Sequence, residues 1–241
     1  MIVSLSVVRY RRILIPFALL AMAIHRIPLA LNRKCSFWKL MGCGKNGTFD
    51  LNPDWQQWAL LATWDNQEDF DSFNNHSFIQ SWWNLFAVER WTILCEPLSS
   101  HGKWDGKEPF ISTNSGKDFS GPIAVLTRAT IRLSKLKGFW NNVSPVANLM
   151  QGSPGYITSI GIGEAPLFMQ ATFSIWDSTE SMKSFAYDSK EHIEVIRKTR
   201  TEQWYSEELF ARFKILSSWG TLCDKNPLER LPNHHISTSK E

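Results

Sequence analysis

The chain says nearly the same thing twice, and this restricts its fold more than any other property. Trp58 to Phe73 (WALLATWDNQEDFDSF) aligns without a gap on Gln170 to Phe185 (QATFSIWDSTESMKSF), and Leu98 to Phe110 (LSSHGKWDGKEPF) on Leu216 to Leu228 (LSSWGTLCDKNPL). Ile2 to Arg11 pairs with Ile123 to Arg132, and Gly42 and Gly44 pair with Gly161 and Gly163, in the same order. A repeat of about 115 residues is too long for a solenoid unit and implies two copies of one small fold.

Hydrophobic periodicity supplies the elements of each copy. Copy one reads as a strand in VSLSVVRY, a helix from about Ile13 to His25 that stops at Pro28, and a strand at Ser36 to Met41. After a Gly-rich turn come a strand at Trp58 to Trp64, a helix capped by Asp65 and running to about Glu89, and a strand at Trp91 to Cys95. Copy two repeats the order, with strands at Ile123 to Arg132, Tyr156 to Ile162, Met169 to Trp176 and Phe210 to Leu216. Its helices start at Ser134 and Ser178, and the second, free of proline, is expected to reach about Glu207. The order βαββαβ is the ferredoxin-like unit, an antiparallel sheet with both helices on one face. Two tandem copies can cover each other's bare sheet face, so the expected class is α+β, a pair of ferredoxin-like repeats forming an intramolecular dimeric α+β barrel. The expected division is residues 1–110 for repeat one, a linker at 111–120, residues 121–230 for repeat two and a polar tail at 231–241.

A formal charge of +3 with no run of like charges argues against a nucleic-acid partner. Four scattered cysteines without metal-ligand spacing fit free thiols in a reducing cytoplasm. Twelve Trp beside 15 Phe suit a heavy core or a pocket for a bulky apolar ligand. Arg11-Arg12 followed by the apolar run Ile13 to Ile24 imitates a signal peptide, but the preceding strand has an internal twin, so the run is expected to be a helix of the fold, with peripheral membrane contact as an alternative. Sequons at Asn46, Asn75 and Asn142 carry weight only in a secreted protein. Gly42-Cys43-Gly44-Lys45-Asn46-Gly47 matches G-x-G-x-x-G, yet Pro53 denies the helix that a dinucleotide site needs, and a hairpin connection is expected instead.

Departures from the repeat point to a site, because structural residues tend to recur while a single site need not. His192 falls opposite Gln80, and Arg197 and Arg200 fall opposite Leu85 and Val88. One histidine followed by two cations on a helix suits axial ligation of haem iron with guanidinium groups at the propionates; a solvated helix face has the same composition. Arg128 stands mid-strand opposite Val7, either turned to solvent or part of a site. His101 is read as a turn histidine, and His25, His76, His234 and His235 as structural or solvated.

The motifs FWKLMGCG (Phe37 to Gly44), WALLATWD (Trp58 to Asp65), SHGKWDGKEPF (Ser100 to Phe110), AVLTRATIR (Ala124 to Arg132), SIGIGEAP (Ser159 to Pro166), QATFSIW (Gln170 to Trp176) and WYSEELFARF (Trp204 to Phe213) resemble the spheroidene monooxygenases of carotenoid biosynthesis over nearly the whole chain. The resemblance implies an oxygen-dependent, haem-using monooxygenase that introduces a hydroxy and then a keto group into an acyclic carotenoid. It implies molecular oxygen and an electron donor as partners; joined to the departures from the repeat rather than by any motif of its own, it selects His192 as the expected haem ligand, with Arg197, Arg200 or Arg128 at the propionates. The catalytic residues proper stay unassigned. A cytoplasmic, membrane-associated location and homo-oligomerisation are compatible with it. A cofactor-free monooxygenase and a non-enzymatic haem or apolar-ligand carrier are the alternatives.

Overall fold

The computed structural model describes residues 1–45, 47, 52–112, 119–165, 167–188 and 190–229, with side chains at 143–148, 188 and 190–192 outside the description. The tail at 231–241 and most of the expected linker therefore lie outside the described residues. The chain carries β1 (Ile2–Tyr10), α1 (Ile15–Ile24), α2 (Arg26–Leu31), β2 (Cys35–Gly44), β3 (Pro53–Trp64), α3 (Gln67–His76), α4 (Phe78–Phe86) and β4 (Ala87–Gly102). The second copy follows with β5 (Ile123–Ile131), α5 (Leu136–Gln151), β6 (Tyr156–Ala165), β7 (Met169–Trp176), α6 (Thr179–Asp188), α7 (Lys190–Thr201) and β8 (Tyr205–Gly220). The strands hydrogen-bond in the order β1-β3-β2-β6-β7-β5-β8-β4 and the sheet closes, which is the expected α+β barrel of two βαββαβ copies.

The repeat holds at the level of register. In the first copy Ile2 pairs with Trp64, and β1 lies between β3 and β4; in the second, Ile123 pairs with Trp176, and β5 lies between β7 and β8. Trp64 donates its indole N–H to Ser4 Oγ at 2.9 Å, and Trp176 donates to Ser174 Oγ at 3.0 Å, so both twin indoles are buried with their polar atom satisfied.

Several boundaries differ from the sequence reading for identifiable reasons. Asn66, not Asp65, caps α3 by accepting from the Asp69 N–H, and Ser77 caps a new helix, α4, by accepting from the Gln80 N–H. The expected single helix to Glu89 is thus two. The second long helix is described as Thr179–Asp188 and Lys190–Thr201, and it ends at Thr201, short of Glu207, with Trp204 buried beside Ile131 and Phe139. Pro28 sits inside α2 rather than ending a helix, a first-turn position where its missing N–H is not needed. Lys45 N–H reaches the Asn52 carbonyl at 3.3 Å, as a hairpin connection between β2 and β3 requires.

Two compact units result, and they interleave rather than divide at 111–120. The first comprises Met1–Cys43, Asp54–Pro97 and Ile215–Glu241; the second comprises Gly44–Pro53 and Leu98–Lys214. Each copy therefore lends the last part of its long final strand, and the arm after it, to the other unit. The block LSSHGKWDGKEPF and its twin LSSWGTLCDKNPL are these arms. Both arms turn through two left-handed residues, Asp105 (φ 51) and Gly106 (φ 72) in one, Cys223 (φ 55) and Asp224 (φ 62) in the other. The flanking bridges Trp104–Lys107 and Leu222–Lys225 make each a two-residue hairpin of the type that demands positive φ.

Candidate functional site

Alternation along β5 sends Leu126, Arg128 and Thr130 to one face and Val125, Thr127 and Ala129 to the other. On the first face Arg128 is only 2% exposed. It donates to Glu207 and lies 3.6 Å from an Asp105 oxygen and 3.9 Å from a Glu164 oxygen. The Trp104 ring stands 5.4 Å from the guanidinium carbon, and its indole N–H donates to Glu164 at 2.6 Å. Glu207 also accepts the backbone N–H groups of Asp105 and Gly106 at 3.0 and 2.8 Å. Partial burial raises the Glu207 pKa, but these two N–H groups and Arg128 outweigh it, so the carboxyl is held below its ordinary value. This cluster clamps the exchanged arm onto the strand. Its first-unit twin is built differently: Glu89 accepts the Asp224 N–H at 2.7 Å and lies 3.6 Å from Arg9, while Val7 stands at the position of Arg128.

The other face, toward the helices, departs most from the repeat. In the first unit one continuous core covers the sheet from Tyr10 to Trp64, and Ser6 is buried, sharing a 3.0 Å hydrogen bond with Thr92. In the second unit the described residues of the cover fall into two clusters, one including Val125, Met150, Trp176 and Met182, the other Ile131, Phe139 and Trp204. Between them lies Thr127, the twin of Ser6, exposed in mid-strand. Its cross-strand neighbours are Thr172, whose hydroxyl is buried without a hydrogen-bond partner, and half-buried Phe210. Gly161 pairs with Thr172 from β6 and adds no side chain to this floor. One step along, Arg212 pairs with Val125 where the first unit places buried Leu94 against Ser4; its Nε donates to Ser99 Oγ at 2.9 Å. Leu60, buried in the first unit, is likewise replaced by Thr172. The two faces thus differ position by position: Thr172 and Arg212 stand where the first unit has Leu60 and Leu94, while Phe210 and Val125 stand where it has Thr92 and Ser4. Buried hydroxyls without partners are uncommon and call for an explanation.

Of the residues expected at a site, Arg197 and Arg200 are exposed on α7 and make no ion pair among the described residues. Arg128 is brought to Glu207, not to α7. His192 belongs to α7, one turn before Val195, which packs with Phe139 and Trp204; its imidazole lies outside the described residues. His101 is exposed at the end of β4. His25 is 2% exposed among the rings of Phe78, Trp82 and Trp83, 5.7 to 6.2 Å away, and burial lowers its pKa to about 4. A further cavity of about 570 Å³ opens between the end of α5 and the start of α6, lined by Leu149, Ser153, Pro154, Glu180, Ser181 and Phe185. Arg212 and Thr127 were not singled out from sequence, although setting Leu94 against Arg212 exposes the difference.

The spheroidene monooxygenase of Rhodobacter capsulatus is 34% identical over 215 residues, which cover 89% of both chains. That of Rubrivivax gelatinosus is 32% identical over 184 residues, 76% of this chain and 70% of the relative. The chain belongs to the spheroidene monooxygenase family. It spans 62% of the length of the Cereibacter sphaeroides spheroidene monooxygenase, with 38% identity over 208 residues. A domain of unknown function, DUF3291, matches residues 123–213, the stretch that holds β5 through most of β8. A solved aldoxime dehydratase superposes with a TM-score of 0.59 at 11% identity, over 89% of this chain and 80% of that one, and so shares the fold. Within this member of the spheroidene monooxygenase family, AVLTRATIR supplies Arg128 to one sheet face and Thr127 to the other. WYSEELFARF likewise supplies Glu207 to the clamp and Arg212 to the open face.

Proposed function

We infer that this chain is an oxygen-dependent monooxygenase that oxygenates an acyclic carotenoid or a similarly long apolar substrate, with haem held in the second unit between the sheet and its helices. The observation that carries the reading is Thr127, exposed in mid-strand where its twin Ser6 is buried, beside the unpartnered hydroxyl of Thr172, in the stretch that DUF3291 matches. A flat macrocycle with anionic edges needs a floor without bulky side chains and a cation at its rim. Gly161 and Thr127 fit the floor, and Arg212 fits the rim. Arg197 and Arg200, exposed and without an ion pair among the described residues, fit the edge on the α7 side. Arg128 does not fit, since one guanidinium already faces three carboxylates and a propionate brought there meets net negative charge.

Under this reading His192, on α7, would be the residue that holds the haem iron. Bound haem supplies the iron at which oxygen is activated. The chain's own residues do the rest. Thr172, with an unpartnered buried hydroxyl, donates to a polar atom of whatever fills the opening. Phe210 with the two flanking apolar clusters keeps the space around it dry and lets a polyene lie against aromatic surface. The test is reconstitution of the purified protein with hemin, followed by turnover with an acyclic carotenoid, oxygen and a reductant. A Soret band together with hydroxylated and then keto product supports the reading. Turnover without a Soret band replaces it with cofactor-free oxygenation, and a Soret band without turnover replaces it with haem carriage.

A further inference from the structure

The helical layer of the first unit is inside out. From Ile13 through α1 and α2 the fully buried residues are Ala18, Ala21, His25 and Leu29, with Leu14 and Met22 partly buried against the same core. The stripe on the opposite side recurs at helical spacing and is uniformly large and apolar: Ile13, Phe17, Leu20, Ile27 and Leu31. Ile13 is 83% exposed and Leu31 75%. α4 extends this surface, since Phe17 stacks on Phe86 at 4.9 Å and lies 6.3 Å from Trp82, while Phe78 and Leu85 stay exposed beside them. A surface helix ordinarily turns its polar side to water, and a contiguous apolar patch of this kind marks an interaction surface.

Charge identifies the occupant. No Asp or Glu occurs before Asp50, and the stripe is framed by Arg11, Arg12, Arg26 and Arg33, all exposed. Arg26 bends back along the helix to donate to the Met22 carbonyl at 3.2 Å. An apolar helical face framed by arginines is complementary to a bilayer surface with anionic headgroups, the apolar side sinking to the acyl boundary and the cations remaining at the phosphates. The run Arg12–Leu31 has the length and composition of a membrane span, but its side that carries Ala18, Ala21, His25 and Leu29 is committed to the sheet, which suits lying on a bilayer rather than crossing one.

We propose that the outward face of α1, α2 and α4 docks this protein on an anionic lipid surface. The proposal stands apart from the haem reading, because docking is measured without turnover. The experiment is co-sedimentation of the full chain with vesicles of phosphatidylcholine, with and without phosphatidylglycerol. The expected result is binding to the anionic vesicles that falls with salt, weakens at least about tenfold in Phe17→Ser/Leu20→Ser/Ile27→Ser, and weakens roughly fivefold for each of Arg12→Ser and Arg26→Ser. Circular dichroism and melting temperature check the fold, and Ile13→Ser/Leu85→Ser provides a second disruption should the triple variant fail to fold. Three results overturn the proposal: no binding to anionic vesicles, binding unchanged in both apolar variants, or a wild-type dimer that the same substitutions dissociate, which assigns the face to a second copy.

Discussion

Replacing Glu207 by Gln tests the clamp that holds the exchanged arm. The substitution keeps the shape and one acceptor oxygen but removes the charge that Arg128 meets most closely. Taking one partner from a buried ion pair costs about 3–5 kcal/mol. Here Asp105 and Glu164 remain at 3.6 and 3.9 Å and compensate in part, while the amide cannot serve both the Asp105 and Gly106 N–H groups as well as the carboxylate does. The expected loss is about 3 kcal/mol, or roughly 6–12 °C in melting temperature for a chain of this size. Because Glu207 is held below its ordinary pKa, its contribution is complete above the ordinary carboxylate value and disappears as pH falls through the depressed one. The acid limb of stability against pH should therefore be shallower in the variant. Hydrogen exchange at 98–110 should rise with the loss, and Arg128→Val/Glu207→Gln, which copies Val7 of the first unit, should cost less than the sum of its single changes. A single variant within about 0.5 kcal/mol of wild type refutes the clamp.

Gly102→Ala and Gly220→Ala should each destabilise by several kcal/mol, an order set by combined clash and backbone strain. Their φ values are 93 and 77, and an added Cβ would sit 2.1 Å from the Glu208 oxygen and 2.0 Å from the Arg90 oxygen; thermal melts check this, and a neutral alanine at either position contradicts the arm geometry. His25, its pKa lowered by burial to about 4, stays neutral while the unfolded chain takes up a proton, so its share of stability is complete above about 6.5 and declines as pH falls toward 4. His25→Phe should remove that decline in denaturant titrations at several pH values. Cys223 is exposed, whereas burial pushes the thiols of Cys35 and Cys43 up to about 12 and raises that of Cys95 as well. A thiol reagent should therefore modify Cys223 alone in native protein and all four cysteines after denaturation.

The twofold architecture was legible because Trp64 with Trp176, and Ile2 with Ile123, are packing residues that both copies must keep. The arms were visible as a repeated block, but no periodicity reports which unit a strand end joins; Lys103 N–H to the Glu208 carbonyl and Thr221 N–H to the Arg90 carbonyl decide that through backbone bonds. The helix break at Ser77 has no proline to announce it, since a serine cap ends a helix just as well. Comparing copies correctly separated Arg128 from its twin Val7, yet said nothing about direction. The strand pairing turns Arg128 into the arm clamp and leaves the helix side to Thr127 and Arg212. Arg212 was passed over because a lone arginine in a strand reads as solvated until its buried counterpart, Leu94, is set beside it.

The central claim is that the open face of the second unit, together with α7, holds haem. Titration of hemin into wild type, His192→Ala and Arg212→Leu, followed at the Soret band with circular dichroism as the fold control, tests it most directly. The account predicts a saturable band in wild type, no ligated band in His192→Ala, and affinity reduced about tenfold or more in Arg212→Leu through loss of a charge-assisted contact. A wild-type protein that gives no Soret band, or a His192→Ala variant that keeps an unaltered one, contradicts it.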